Sequence, residues 1–214
     1  AQREINQHRT PSVEQIVAEG ERRIKDSALT PEEKRRETQH IQQSLSRYVT
    51  HALPAMRPGN IPEKNFRNEG VVIGEDVLLA GKIDLLEVDE KTHEITVVDY
   101  KTTGKTHPSW KPLDVTLHKY QLQLYAYKIL VERSKTYRGY RVTKGKIVFT
   151  EPDQDGAFQT LELSFDQTEI ERVENLLAAL WQRVMALDFP DTANYGDTLT
   201  AVKQFESDLI RKSL

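Results

Sequence analysis

The sequence predicts an α/β fold, with a mixed sheet flanked by N-terminal and C-terminal helices. Three observations support this class. Residues 63–103 are rich in β-branched side chains with a period of two, which is typical of strands. Helical patterns with recognisable N-caps precede that region, and a strong amphipathic pattern begins at Asp166 after it. With 214 residues, 37% of them hydrophobic, the chain can form one large domain.

Two helices are expected before the strands. Residues 1–9 are polar and are expected to be frayed or truncated. Thr10-Pro11 resembles an N-cap followed by proline at the first helical position. Thr30-Pro31-Glu32-Glu33 is a capping box that predicts a second helix. That helix should end at the prolines between Pro54 and Pro62.

The period-two region predicts three strands, at about 63–73, 76–88 and 94–101. Because short turns separate them, an antiparallel meander is the economical pairing. The remaining predicted elements follow in order: a helix at about 114–134, strands at 144–150 and 157–164, a helix capped by Asp166, and a last helix at about 199–211.

A single domain with three segments is expected. Residues 1–60 would form a helical segment packed on the core, residues 61–165 the core itself, and residues 166–214 the C-terminal helices. There is no internal repeat that would suggest a solenoid or an array.

Composition excludes several kinds of site. The chain has no cysteine, which excludes disulfides, thiol nucleophiles and cysteine-ligated iron–sulfur clusters. A metal would need oxygen or imidazole ligands, which favours magnesium, calcium or manganese. The net charge of -3 is unlike that of a typical free-standing DNA-binding domain, although local basic patches matter more than the total. No apolar run approaches the roughly 20 residues of a membrane span, so we expect a cytoplasmic protein without a membrane partner.

The stretch from Leu79 to Thr103 carries charges inside two apolar runs. Strand alternation places Asp99 and Lys101 on one face and Tyr100 on the other. If the two strands pair across their turn, Asp84 approaches Asp99, and two close carboxylates repel unless a cation lies between them. Mg²⁺ or Mn²⁺ is the expected cation, with the Tyr100 carbonyl as an extra ligand. Lys101 would then orient or help deprotonate an attacking water and stabilise charge developing on phosphorus.

The alternative is a surface salt bridge, since Asp-x-Lys is common on strands. The apolar neighbours Ile95 and Val97-Val98 argue against it, because they indicate a central, buried strand. On the following helix, His118, Gln121 and Tyr125 share one face. Gln121 could hold a phosphate or a metal-bound water, and Tyr125 could bond a DNA phosphate. The competing interpretation is a core tyrosine and a solvated glutamine.

Three ordered motifs resemble those of the PD-(D/E)XK nucleases. Gly81-Lys82-Ile83-Asp84 is similar to G-x-x-D, Val97-Val98-Asp99-Tyr100-Lys101-Thr102 to D-x-K, and Gln121-Leu122-Gln123-Leu124-Tyr125-Ala126 to Q-x-x-x-Y. Within that superfamily, the three motifs together resemble specifically the RecB-like nuclease domains at the C-termini of superfamily 1 helicases (RecB, AddA and UvrD-like proteins).

The resemblance implies a restriction-endonuclease-like core and a set of roles. Asp84 and Asp99 would be metal ligands, Lys101 the catalytic lysine, and Gln121 and Tyr125 active-site residues. Glu63 is a weaker match to the acidic residue that the family places on its first core strand.

One family feature is missing from the sequence. The resemblance implies a metal-binding histidine on an early helix, after a segment similar to G-T-x-x-H, and the surroundings of His8 do not match it. We therefore expect that the chain begins just after that histidine and is a fragment of a larger helicase–nuclease. Relatives with a four-cysteine iron–sulfur site are excluded.

The function implied is a divalent-metal-dependent DNA nuclease, acting as exonuclease or endonuclease on single-stranded DNA. It would serve DNA repair or recombination, with a helicase motor in the same polypeptide or complex. The alternative is an inactive DNA-binding or scaffolding domain of the same fold. A small-molecule α/β enzyme is a weaker idea, because the sequence has no glycine-rich phosphate loop.

A DNA track is also predicted next to the central strands. Its basic residues would hold the backbone, and Trp110 would either stack on a base or cap the core. The basic residues are Lys101, Lys105, Lys111 and Lys119.

Overall fold

The computed structural model describes residues 1–74, 76–102 and 114–211. The described residues form two compact units. Unit 1 contains those within 1–62, 100–102 and 148–160, and unit 2 contains the others. The predicted division into three segments of one domain stays a prediction. Within the described residues, no helix combines the length and apolar character that crossing a bilayer requires.

Helices dominate unit 1. They are α1 (Gln2–Ile5), α2 (Val13–Lys25), α3 (Pro31–His40), a π-helical turn (Ile41–Leu45), α4 (Ser46–Ala52) and a 3₁₀ turn (Leu53–Ala55).

Two N-terminal predictions are wrong. Helix α2 is capped by Ser12, not by Thr10, because the Ser12 hydroxyl and the Gln15 side chain form a reciprocal capping box. The first residues do not fray, since the Gln2 amide donates to the Arg57 carbonyl at 2.6 Å. The capping box of Thr30 and Glu33 at the start of α3 is confirmed.

A five-stranded mixed sheet flanked by helices confirms the predicted fold class and agrees with a restriction-endonuclease-like core. Its strand order is β1-β4-β5-β6-β7, and β2-β3 form a separate pair. The strands are β1 (Ile61–Asn65), β2 (Val71–Ile73), β3 (Val77–Leu79), β4 (Lys82–Asp89), β5 (Glu94–Lys101), β6 (Arg141–Phe149) and β7 (Thr160–Ser164).

The three-stranded meander is wrong in its first two strands, although the antiparallel pair β4–β5 is confirmed. Each of these two predicted strands divides into two: β1 and β2 lie within 61–73, and β3 and β4 within 77–89. The chain turns after β1, where the Phe66 amide donates to the Gly81 carbonyl at 2.8 Å and Gly70 adopts a φ of 64°. Buried Glu69 fixes this turn by accepting from Lys64 and from the hydroxyl of Thr136.

The three helices of unit 2 match the predictions. They are α5 (Val115–Glu132), α6 (Gln167–Ala186) and α7 (Leu199–Arg211). Asp114 caps α5, and Asp166 caps α6 by accepting from the Glu169 amide at 3.1 Å. Helix α5 is buried on more than one side. One of its faces packs into the apolar cluster formed by Ile73, Val77, Tyr125, Ile129 and Val173.

Polar contacts fix α5 along β6. Lys128 donates to the Val142 carbonyl at 2.9 Å, and the Val142 amide donates to Glu132 at 2.7 Å. At Gly145 the strand and the helix lie so close that an added Cβ would stand 3.0 Å from Leu124. The helix is therefore held in one register against the sheet, which sets the positions of its polar side chains.

Candidate active site

Asp84 and Asp99 belong to neighbouring strands of unit 2. The antiparallel register pairs Leu85 with Val98, and the same register continued by one step would place Asp84 opposite Asp99. Directly opposed residues point to the same face, with Cβ atoms about 5 Å apart. Asp99 is buried, at 3% exposure, and Asp84 is half-buried. The approach of the two carboxylates that the sequence predicts thus agrees with the strand register.

Two side chains of α5 hold the Asp99 carboxylate. The Gln123 amide donates to Asp99 Oδ1 at 2.8 Å, and the Tyr127 hydroxyl donates to the same oxygen at 3.0 Å. Gln123 also donates to the Tyr127 hydroxyl oxygen at 2.7 Å. The three groups form a closed set of hydrogen bonds, which fixes the orientation of the carboxylate.

The protonation of Tyr127 suits this role. Burial raises the pKa of Tyr127 above its usual value, and the negative charges of Asp99 and Asp84 raise it further. The hydrogen bond from Gln123 offsets only part of this increase in pKa. The hydroxyl therefore keeps its proton at neutral pH and remains a donor to Asp99.

Gln121 and Tyr125, the pair selected from the sequence, are in a different environment. The Tyr125 hydroxyl accepts from the Asp166 amide at 3.2 Å, and its ring meets Phe165 edge-on at 5.2 Å. Burial raises the pKa of Tyr125. Gln121 is half-buried on the same helix. It is Gln123 and Tyr127 that bond Asp99.

The sequence contains both pairs, because QLQLYAY holds two overlapping Q-x-x-x-Y patterns. Residues 121 and 123 are about 200° apart around a helix, so the two pairs face opposite directions. Tyr127 lies three residues after buried Leu124 and four residues before buried Val131. It is therefore on the same side of the helix as Leu124, which packs against Gly145. Because this relation depends on the packing at Gly145, the sequence alone could not have distinguished Gln123 and Tyr127 from Gln121 and Tyr125.

Lys101 is the last residue of β5, two positions after Asp99. Its backbone carbonyl accepts from the Thr150 amide at 3.0 Å, within unit 1. Tyr100, whose carbonyl is a predicted metal ligand, has its ring edge-on to Tyr48 at 6.2 Å.

The other predicted residues are less informative. Glu63 is exposed on β1 and pairs with the Lys82 ammonium at 2.7 Å. His118 bonds Glu206 of α7 at 2.8 Å and is buried. Lys119 is exposed on α5. Three members of the predicted DNA track lie outside the described residues: Lys105, Trp110 and Lys111.

The donor set fits a hard divalent cation. The described part of the chain holds no group of three or more histidine, cysteine, aspartate or glutamate side chains arranged for a metal. Asp84 and Asp99 offer two carboxylates instead. Mg²⁺ commonly binds proteins through one or two carboxylates and keeps several of its waters, so two carboxylates are a sufficient protein contribution.

Comparison with known proteins gives a family match. The model of the PD-(D/E)XK nuclease superfamily matches residues 3–196. No curated protein matches the chain. Among solved structures, the crystal structure of SSO0001 aligns at 19% identity over 66% of this chain and 60% of that chain, with a TM-score of 0.35.

Proposed function

Because the chain belongs to the PD-(D/E)XK nuclease superfamily, we propose that it hydrolyses phosphodiester bonds of DNA with a divalent cation, Mg²⁺ or Mn²⁺. One observation carries the proposal. A buried aspartate, Asp99, is held in a fixed orientation by Gln123 and Tyr127, and the strand register continued by one step places Asp84 opposite it. Burying a carboxylate opposite a second carboxylate costs free energy of folding. A cation bound between the two would offset that cost.

The proposed roles follow from chemistry. Asp84, Asp99 and the Tyr100 carbonyl hold the cation. When bound, the cation polarises the phosphodiester and makes its water more acidic. Lys101 orients the attacking water and stabilises the negative charge that develops on the phosphate oxygens.

Gln123 and Tyr127 act as positioning residues for Asp99 in this proposal. They take the role that the sequence motif assigned to Gln121 and Tyr125. Their hydrogen bonds to Oδ1 support this, because donors on one carboxylate oxygen restrict rotation of the whole group.

The biological setting is proposed from motif resemblance. The three ordered motifs support a RecB-like domain that acts on single-stranded DNA delivered by a helicase motor, in the same polypeptide or in a complex. DNA repair or recombination in the cytoplasm is the corresponding role.

The test is cleavage of labelled single-stranded and duplex oligonucleotides with Mg²⁺, Mn²⁺ or EDTA. The wild-type chain should cut in either metal and not in EDTA. Asp99→Asn and Lys101→Ala should abolish cutting, whereas Asp76→Asn, at an exposed turn, should leave it unchanged. Melting temperatures of all variants confirm that the chains are folded.

Two results would oppose the proposal. Cleavage that survives Asp99→Asn would place the chemistry elsewhere. Oligonucleotide binding without cleavage, insensitive to metal and to Asp99→Asn, would identify a DNA-holding or scaffolding domain of the same fold.

A further inference from the structure

A chain of aromatic contacts in unit 1 leads from the end of β5 to the surface. Tyr100 meets Tyr48 edge-on at 6.2 Å, and Tyr48 meets Phe158 edge-on at 5.6 Å. The last contact differs, because His51 lies nearly parallel to Phe158 at 4.9 Å and 29°. Edge-to-face pairs are common inside proteins. The outer ring of the stacked pair belongs to His51, which is exposed.

A cation lies next to this stacked pair. Arg47 is exposed and precedes His51 by about one helical turn. Its guanidinium is 3.8 Å from the point where a Cβ on Gly156 would stand, so it lies against the loop that leads to Phe158. Asp153 fixes that loop by accepting from the Ala157 amide at 2.8 Å. We call Arg47, His51 and Phe158 the stacking surface.

The π-helical turn helps to explain this arrangement. Ile41 and Leu45, the first and last residues of this turn, pack closely on α2. A Cβ added to Gly20 of α2 would stand 3.1 Å from Ile41 and 3.5 Å from Leu45. A π turn adds a residue to one helical turn and so rotates the side chains that follow, and such turns are frequent at functional sites. After it, Tyr48 and His51 contact Phe158.

We propose that the stacking surface binds single-stranded nucleic acid. An unpaired base stacks on His51, and Arg47 holds a neighbouring phosphate. Aromatic rings combined with a cation are the usual means of holding single strands, because every base offers a π-face once it is unpaired. Bases in a duplex stack on one another and cannot use such a ring. The inference rests on the proposed function, since it gives the nuclease its preference for single strands beside the strand end that carries Lys101.

The test is fluorescence anisotropy of the full chain in EDTA, with three probes: labelled oligo-dT, an abasic oligomer of equal length, and duplex DNA. His51→Ala should raise the Kd for oligo-dT about tenfold and leave the abasic Kd unchanged. His51→Phe should restore oligo-dT binding, because it retains a ring. Arg47→Gln should weaken oligo-dT and abasic binding alike and reduce the salt dependence of binding by about one phosphate contact. The control is His40→Ala, an exposed histidine that pairs with Glu151 at 3.3 Å and should have no effect.

The outcomes separate this inference from the nuclease proposal. An oligo-dT Kd within about twofold of wild type in His51→Ala, or an equal loss on abasic and oligo-dT probes, overturns the stacking surface even if the chain cuts DNA. The selective loss of oligo-dT binding in a chain that fails to cut DNA supports the surface and counts against the nuclease.

Discussion

The Tyr127 hydroxyl stands 3.0 Å from Asp99 Oδ1, and the Gln123 amide reaches both groups. The contact joins the middle of α5 to the end of β5, within unit 2. Because the raised pKa of Tyr127 keeps its proton in place, the donor is available throughout the neutral range. In the proposed nuclease, this contact makes the helix part of the active site rather than only its support.

Tyr127→Phe should lower metal-dependent cleavage about tenfold while the chain stays folded. The change removes one hydrogen bond to a charged acceptor, worth about 1.5–3 kcal/mol, and keeps the ring in the core. The loss should appear mainly in kcat, because Asp99 would bind the cation in a less defined orientation. Steady-state cleavage of a labelled oligonucleotide measures it.

The matched control is Tyr125→Phe on the same helix. Its hydroxyl accepts from the Asp166 amide, so its loss should change cleavage by less than about twofold and lower only the melting temperature. If Tyr125→Phe instead impaired cleavage and Tyr127→Phe did not, the first of the overlapping Q-x-x-x-Y patterns would be the functional one.

Glu63→Gln decides whether Glu63 takes part in the site. Its carboxylate is exposed and pairs with Lys82 at 2.7 Å, and exposed ion pairs contribute about 0–1 kcal/mol. We expect cleavage within about threefold of wild type and an unchanged Mn²⁺ requirement, whereas Asp84→Asn should abolish cleavage. A loss in Glu63→Gln that high Mn²⁺ concentrations restore would instead identify Glu63 as a metal ligand.

The sequence was sufficient for the strand pair that carries Asp84 and Asp99. The turn after Asp89 is short, and alternation then sets which side chains share a face. It was insufficient for the breaks after Asn65 and Leu79, although the segments that follow them, residues 66–70 and 80–82, contain glycine and charged residues of the kind found in turns. Those breaks depend on tertiary contacts, such as the bond between Phe66 and Gly81 and the buried carboxylate of Glu69.

The sequence did not distinguish the two Q-x-x-x-Y patterns for a different reason. An amphipathic helix shows its buried side in its sequence, but α5 is buried on opposite sides. Tyr125 packs toward Phe165, and Tyr127 bonds Asp99. When both faces are apolar, periodicity gives no preferred direction, and only the packing partners decide.

Gly145→Ala should destabilise the chain by about 1–3 kcal/mol, as overpacking does in a closed core. The new Cβ would stand 3.0 Å from Leu124 Cδ1 and 3.1 Å from Phe165 Cζ. Since Leu124 is next to Gln123 on α5, the displaced helix should also reduce cleavage. Urea unfolding together with the cleavage assay measures both effects. Gly196→Ala is the control, because open space surrounds that position, and equal losses in both variants would contradict this explanation.

Glu206→Gln should weaken the attachment of α7 in a pH-dependent way. Buried Glu206 accepts from His118 at 2.8 Å and from Arg172 at 2.9 Å, and Arg172 also bonds Glu169. Burial alone would raise the pKa of Glu206. The hydrogen bond from His118 and the charges of His118 and Arg172 outweigh it, so the pKa lies below its usual value.

The sign of the effect follows from this lowered pKa. A carboxylate whose folded-state pKa is depressed stabilises the fold above its unfolded pKa of about 4.3, and this contribution is lost as pH falls through the folded-state pKa. At pH 6.5 we expect Glu206→Gln to cost about 3 kcal/mol, because Arg172 loses a buried partner. Below pH 4 the difference from wild type should shrink. Urea unfolding at pH 6.5, 4.5 and 3.5 measures it, with Glu94→Gln, at an exposed pair with Arg141, as the control. A difference that stays constant across these pH values would mean that the carboxylate charge does not stabilise α7.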